Sequence, residues 1–411
     1  MSKISNIVQR QIKHDAPYAW FLRHQASTSP VFRNQHLAEL DSRLESYLAC
    51  FELNQQERWS LIKKLRPMDW GTVFITALVA FRHNDSAAFD HAVDILEENQ
   101  QAKELSDALC RVSYPTAEPY LAKLIAHENP LARIAAITAT GFFCRDIDEG
   151  SVEKLLNDSP AVVAATLKVV GRNKLVACKD SVSALLTHEN EAVRFQAAYA
   201  GCLLGIPAAL PALQTFCFAE TPFLRTAIGL IYHVLPESDI DATLTRIHES
   251  AFSPRIKAYS IAMAGLPDRI PVLIEWMDDP EYAPVAGEAF SFITGVDIEE
   301  DDLSIINVSL CESQEAPLAV KRKKDRWTEV YEADLPWPEP EFVTNWWQAN
   351  QGRFQNGTRY LAGKTLTDSN LQDVIKNGTQ TQRLAASLIR AVKNPNVIVR
   401  DVAAYQTTID D

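Results

Sequence analysis

A unit of about thirty residues recurs along the middle of this 411-residue chain, and no other feature limits its folding so strongly. Each unit reads as an apolar helical run, a short polar break, a capping residue followed by Pro or Glu, a basic residue three positions further on, then small residues and a Gly. The pattern is Asn129-Pro130 with Arg133, Ala135 and Gly141; Ser159-Pro160 with Ala164, Ala165 and Gly171; Asn190-Glu191 with Arg194, Ala197 and Gly201. It continues as Thr221-Pro222 with Arg225 and Ala227, Ser253-Pro254 with Lys257, Ala258 and Gly265, and Asp279-Pro280, which lacks the basic residue. The second position of the break falls at 130, 160, 191, 222, 254 and 280, in steps of 30, 31, 31, 32 and 26.

Each part of the unit has a physical reason. Asn, Ser, Thr or Asp accepts a bond from an otherwise unpaired amide in the first turn of a helix, and Pro fits the first helical position because no partner is lost there. The break therefore starts a second helix. Ahead of it lie runs such as Tyr120-Leu121-Leu124-Ile125 and Val152-Leu155-Leu156, apolar at helical spacing, and behind it the Ala-rich stretch allows close helix packing. A helix pair this short cannot bury its own apolar face, so neighbours must stack. The expected fold class is all-α, an α-solenoid of helix pairs.

The spacing and the cap-Pro-x-x-Arg-x-Ala pattern resemble the HEAT-repeat family in its short bacterial form, over roughly residues 115–295. The resemblance implies that the second helix of each pair lines the concave face, with Arg133, Arg194, Arg225 and Lys257 as a ladder near the seam between repeats. Val163 and Ala283 interrupt that ladder, so the structural reading is preferred, in which these cations bond helix ends and neighbouring carboxylates. His127-Glu128-Asn129 and His188-Glu189-Asn190 recur at one point of two repeats, as expected of a histidine at the negative end of a helix.

The flanks are less regular. Residues 1–66 read as a helical N-terminal cap, amphipathic from Ile4 to Leu22, broken at Ser29-Pro30 and resuming at Leu37-Leu40-Leu44-Tyr47-Leu48. The repeat region spans 67–296, irregular before about residue 115. A charged linker is expected over 297–334, with the acidic run Asp297-Ile298-Glu299-Glu300-Asp301-Asp302 and the basic, mobile run Lys321-Arg322-Lys323-Lys324-Asp325-Arg326. The acidic run lacks the alternating carboxylates and central Gly of a calcium loop.

Residues 335–411 form a Trp/Pro-rich and helical C-terminal segment. Trp327, Trp337, Trp346 and Trp347, four of the eight tryptophans, fall within twenty-one residues, beside Leu335-Pro336-Trp337-Pro338 and Arg359-Tyr360-Leu361-Ala362-Gly363. Alternating Pro predicts an extended strand. The segment reads either as a seal over the solenoid end or as a protein-binding patch of Trp337, Trp346, Trp347, Arg353, Arg359 and Tyr360. Adjacent helical positions face about 100° apart, so one of Trp346 and Trp347 is expected in the core and the other on the surface. Asn394-Pro395-Asn396-Val397-Ile398-Val399-Arg400 begins either one more helix or a β-rich tail.

The net charge is −13, uneven along the chain: residues 1–66 carry ten Lys/Arg against six Asp/Glu, a net of +4, which leaves −17 for the rest. An acidic body argues against clamping nucleic acid, which needs clustered cations. Seven scattered cysteines without a Cys-x-x-Cys pattern fit reduced thiols, and no apolar run is long enough for a membrane span, so a cytoplasmic protein without membrane insertion is expected. The sequence holds no nucleophile elbow, phosphate loop, His-x-x-x-His pair or Gly-x-Gly-x-x-Gly turn, so neither catalytic residues nor a cofactor or metal is expected.

The order of features, including Glu288-Ala289-Phe290-Ser291-Phe292-Ile293-Thr294-Gly295, the double Trp, Arg359-Tyr360-Leu361-Ala362-Gly363 and Gln382-Arg383-Leu384-Ala385-Ala386, resembles an uncharacterised bacterial HEAT family often encoded among type VI secretion clusters. That resemblance implies a non-catalytic scaffold or adaptor whose partner is another protein, a secretion component or effector. The alternative it leaves is a HEAT-like enzyme such as a bilin lyase.

Overall fold

The computed structural model describes residues 6–52, 55–66, 69–99, 102–144, 149–305 and 324–404. Among these, α-helices dominate, and a single hairpin of two two-residue strands is the only sheet. The chain divides into two compact units: residues 1–28, 32–212 and 395–411, and residues 29–31 and 213–394.

The first unit opens with α1 (Asn6–Ala26), α2 (Asn34–Leu48) and α3 (Gln55–Ile62). Helices α4 (Thr72–His83), α5 (Ser86–Asn99), α6 (Ala102–Leu109), α7 (Tyr114–Ile125), α8 (Pro130–Phe143), α9 (Glu149–Leu156), α10 (Pro160–Arg172), α11 (Lys179–Leu185) and α12 (Glu191–Leu204) follow. The even-numbered helices α4, α6, α8, α10 and α12 pack on one another in chain order, and α7, α9 and α11 each pack on the helix that follows them. Helix α4 is apolar on every side and is buried from Thr72 to Phe81, with Trp20 of α1 stacked on Phe74 at 5.8 Å.

The glycine that closes three of the units is explained by this packing. A Cβ on Gly141 would meet Val169 at 2.7 Å, one on Gly171 would meet Ala200 at 2.7 Å, and one on Gly201 would meet Ala209 at 2.6 Å. Each glycine is where the next helix comes closest. A charged seam ties α1 and α2 to the repeats: Arg111, buried, donates to Asp41 at 3.1 Å and Glu45 at 2.7 Å, while Arg23 donates to Asp41 at 3.0 Å and Arg82 to Glu45 at 2.9 Å.

Helix α13 (Ala209–Cys217) crosses the unit boundary. The second unit contains α14 (Leu224–Val234), α15 (Glu237–Glu249), α16 (Pro254–Ala264), α17 (Ile270–Trp276), α18 (Ala283–Thr294) and α19 (Pro340–Asn350). After these come the hairpin β1 (Tyr360–Leu361) and β2 (Lys364–Thr365), then α20 (Asp368–Asn377) and α21 (Gln380–Lys393). Here α14, α16 and α18 pack in chain order, with α15 on α16 and α17 on α18.

Four of the six breaks open their helix at the expected residue, at Pro130, Pro160, Glu191 and Pro254. Asn129, Asn190 and Ser253 cap with their side chains, whereas Ser159 makes no such bond. After Pro222 and Pro280 the helix starts later, at Leu224 and Ala283, and in the turn before it Thr221 and Asp279 accept from the amides of Phe223 and Glu281. The tail after Asn394 is neither helix nor sheet. It lies extended in the first unit, where the amide of Val399 donates to the carbonyl of Arg172 at 2.9 Å.

Candidate functional site

In the second unit the chain beyond residue 324 folds back along both ends of α14, α16 and α18. At their C-terminal ends the last carbonyls lack helical partners and carry partial negative charge. Arg359 fills that need: Nε donates to Ala264 O at 2.7 Å, Nη1 to Tyr232 O at 2.6 Å and Nη2 to Met263 O at 3.1 Å. Its Nη2 also lies 3.0 Å from Nδ1 of His233, which burial and the Arg359 charge hold neutral, far below the ordinary imidazole range. The hairpin continues the same work, with the amides of Tyr360, Ala362 and Gly363 donating to Gly265 O, Phe292 O and Ile293 O at 2.8 to 2.9 Å.

At the opposite ends, residues 325–338 lie against the first turns. Ser253 caps α16 and donates to Asp325 Oδ2 at 2.5 Å. Arg255, buried, donates to Glu332 at 3.0 Å and to Asp325 at 3.3 Å, and its guanidinium carbon lies 5.4 Å from the Tyr282 ring centre. Burial opposes ionisation of Asp325, yet the Ser253 hydroxyl, the Trp327 amide and Arg255 together hold its carboxyl below the usual range.

Between the two brackets stands a half-buried polar cluster. Arg225, in the first turn of α14, places its guanidinium carbon 4.1 Å from the Tyr259 ring centre and 5.9 Å from that of Tyr331. It also donates to the Tyr331 hydroxyl and lies 3.5 Å from Glu329. Tyr259 reaches across from α16 because α14 has Gly229 beneath it, where a Cβ would sit 2.7 Å from the phenol oxygen. Glu288 of α18 faces the same group; burial, opposed by Arg225, pushes its carboxyl up to about 7. No hydrogen bond or ion pair reaches Glu288 among the described residues. Burial likewise raises the Tyr259 and Tyr331 hydroxyls, which stay protonated donors at neutral pH.

The remaining expected residues are placed as follows. Trp337 is half-buried in the extended Pro-rich segment, its carbonyl accepting from Ile305 N at 2.8 Å beside an isolated bridge between Ser304 and Pro338. Trp346 and Trp347 are both half-buried rather than one core and one surface. Trp346 meets Phe290 edge-on at 5.6 Å, and Trp347 lies 5.4 Å from Phe354, itself 5.0 Å from Tyr360. Tyr360 is buried and accepts from Gln355 N; Arg353 is exposed and donates to Asn350 at 3.2 Å.

In the first unit Arg133 donates to His127 O at 2.6 Å, Glu128 O at 2.8 Å and Asp158 at 2.9 Å. Arg194 repeats this on His188 O at 2.8 Å and Glu189 O at 2.6 Å. In both units of this motif the histidine Nδ1 accepts from the Asn amide two residues on, at 3.0 Å. Lys257 is half-buried on α16. Lys321, Arg322 and Lys323 of the basic run lie outside the described residues. Asp297 stands in the acidic run as a turn former, accepting from Glu299 N and Glu300 N at 3.1 Å.

No family model matches this chain, and neither a curated protein nor a solved structure does. Among the described residues no three His, Cys, Asp or Glu side chains come together as metal ligands, and no helix is long and apolar enough to cross a membrane. Burial raises the thiols of Cys50, Cys110, Cys144 and Cys202, the last to about 12, which disfavours the nucleophilic thiolate. Sequence reasoning missed Tyr259, Glu288 and Tyr331 as a group. Glu288 sat in a run read for resemblance, and Tyr331 in a stretch read as linker; neither belongs to a periodic pattern.

Proposed function

We propose that this protein is a non-catalytic scaffold, a HEAT-like α-solenoid that holds another protein along its row of second helices. The observation that carries this reading is the repeated seam, in which His127, Asn129 and Arg133 are bonded just as His188, Asn190 and Arg194 are, between helices packed in chain order. Such nearest-neighbour packing favours an extended surface over an enclosed pocket. The −17 charge of residues 67–411 favours a protein partner over nucleic acid. The resemblance to the family found among type VI secretion clusters makes that partner a secretion component or effector, met in the cytoplasm.

Capture with the tagged full chain from its native cell, followed by mass spectrometry, tests this. One or a few proteins recovered in amounts comparable to the bait are expected. A bilin or nucleotide carried through purification, or tight binding of duplex DNA at physiological salt, overturns the reading. Scattering from the purified chain addresses the solenoid separately: an elongated particle is expected, and a sphere argues against it.

A further inference from the structure

We propose that the second helices α6, α8 and α10 of the first unit dock an extended acidic segment of the partner, and that the chain's own tail, residues 397–404, covers this place until that segment displaces it. This rests on the scaffold reading and names where, and by what chemistry, the partner is held.

The tail itself shows that the surface takes an extended chain. Residues 394–396 are exposed, and the chain then settles onto the helices. The amide of Val399 donates to the carbonyl of Arg172, the last residue of α10, at 2.9 Å. The charge of Arg400 acts on Cys144, which closes α8, and that of Asp401 acts on Lys103 of α6 and Lys168 of α10. Arg23 of α1 donates to the carbonyl of Ala404 at 3.5 Å. Val399 and Val402 are buried. One segment thus spans three stacked helices with two small apolar anchors three positions apart.

The second observation is the charge that the tail leaves unmatched. Lys168 and Arg172 stand one turn apart on α10, and among the described residues neither makes an ion pair. Lys168 is exposed, yet the surrounding protein, and after it the charges of Arg172 and Lys103, hold its ammonium below the ordinary lysine range. An exposed group is desolvated in this way where protein walls a recess around it. Asp401 does not neutralise the recess: its Oδ1 accepts from the Ala403 amide at 3.0 Å, and no ion pair joins it to either lysine among the described residues. Arg400 brings a further positive charge, acting on Cys144 as Arg172 does. The tail therefore has the form of a ligand for this surface and the wrong sign at one position.

That combination makes the tail displaceable. Its apolar hold is two valines, each worth about tenfold or more in affinity when buried. A segment with the same anchors and carboxylates facing Lys168 and Arg172 adds charge-assisted bonds that the tail does not make.

The test uses the full chain in two forms, wild type and Val399→Asp/Val402→Asp, whose tail loses its anchors, with a fluorescent peptide of residues 395–411 as the probe. The released chain is expected to bind the peptide at least about tenfold more tightly than wild type, whose tethered tail competes at about millimolar effective concentration. In the released chain Lys168→Gln is expected to weaken the peptide about fivefold, and Lys154→Gln, an exposed charge on α9, by less than about 1.5-fold. A peptide carrying Arg400→Glu is expected to bind about threefold more tightly than the natural one. Equal affinity for wild type and the released chain, or binding to neither, overturns the proposal, as does indifference to both Lys168 and position 400. If the released chain does not fold, hydrogen exchange on wild type takes its place: excess Arg400→Glu peptide is expected to quicken exchange of the Val399 amide at least about threefold, and no change overturns the proposal.

Capture from the native cell separates this from the scaffold reading. More partner on the released chain than on wild type, lost again with Lys168→Gln, supports the docking surface. Equal recovery by all three chains overturns it and leaves the scaffold. No partner with any of them, alongside Lys168-dependent peptide binding to the released chain, supports the surface and overturns the scaffold.

Discussion

The guanidinium carbon of Arg225 lies 4.1 Å from the centre of the Tyr259 ring, whereas Arg133, at the matching place of an earlier repeat, turns back onto the carbonyls of His127 and Glu128. Helix phase accounts for the difference. Helix α8 begins at Pro130 and α12 at Glu191, so Arg133 and Arg194 hold the fourth helical position, beside the preceding helix end. Helix α14 begins at Leu224, so Arg225 holds the second position, roughly 200° round the axis from the fourth. A turn at Thr221, two residues long in its effect, converts a seam residue into part of a polar cluster.

Gly295 ends α18 with φ of 76°, and a Cβ there would lie 2.5 Å from the carbonyl oxygen of Ala362 in the hairpin. Gly205 ends α12 with φ of 73° and open space around it. Gly205→Ala is therefore expected to cost about 1 kcal/mol from backbone strain alone, and Gly295→Ala about 2–3 kcal/mol because the hairpin must also shift. Urea denaturation of the two variants checks this. Equal losses would mean that the hairpin does not press on α18.

Glu104 is buried and accepts from the amides of Val73 at 2.9 Å and Phe74 at 3.3 Å at the start of α4. Burial nonetheless outweighs those donors and pushes its carboxyl up to about 7. A carboxyl raised on folding binds protons that the unfolded chain has lost, so its contribution is complete below about 4.5 and is lost as pH rises to about 7. The change is at most about 3 kcal/mol. His233 acts with the opposite sign, since an imidazole held neutral by burial costs stability as pH falls below 6.5. Comparing wild type with Glu104→Gln at each pH isolates the carboxyl: the stability difference is expected to move in favour of the variant between about pH 5 and about pH 8. A constant difference would refute the assignment.

The repeat was legible because its signals are local. A capping Asn129, a Pro130 and a Gly141 declare a helix start and a close approach within a dozen residues, and the structure uses all three. Two breaks were misread by two or three residues because Thr221 and Asp279 can cap a turn as readily as a helix. The brackets around α14, α16 and α18 left no such trace. Arg359 bonds backbone carbonyls 95 and 127 positions away, and every residue has a carbonyl, so no side chain marks the acceptor. Asp325 and Glu332, two of the acidic partners of Arg255, lay in a stretch whose composition resembles any solvated linker.

Trp346 and Trp347 sit on separate aromatic neighbours, Phe290 and Phe354, and both are half-buried. Each change to Ala is expected to cost about 2 kcal/mol, less than the 3–5 kcal/mol of a fully buried ring. Chemical denaturation of the full chain gives both values. A large loss at one position with none at the other would restore the expectation that one ring is core and the other surface.

Arg359 joins the ends of two helices with one planar group, and burial lowers its pKa only to about 10, so it stays charged at neutral pH. A lysine cannot reproduce this, because its donors share one nitrogen and cannot reach Tyr232 O and Ala264 O in the same fork. Arg359→Lys is therefore expected to lose nearly as much stability as Arg359→Met, about 3 kcal/mol in each case, with amide exchange quickening first at the C-terminal ends of α14 and α16. The two variants part company at His233. Burial is the first cause of its low pKa and the Arg359 charge the second, so Arg359→Met is expected to raise that pKa while Arg359→Lys holds it nearer the wild-type value. Imidazole resonances followed through an acid titration report both. Should Arg359→Lys match wild type in stability, a point charge would suffice at these helix ends, and the planar clamp would not be what joins them.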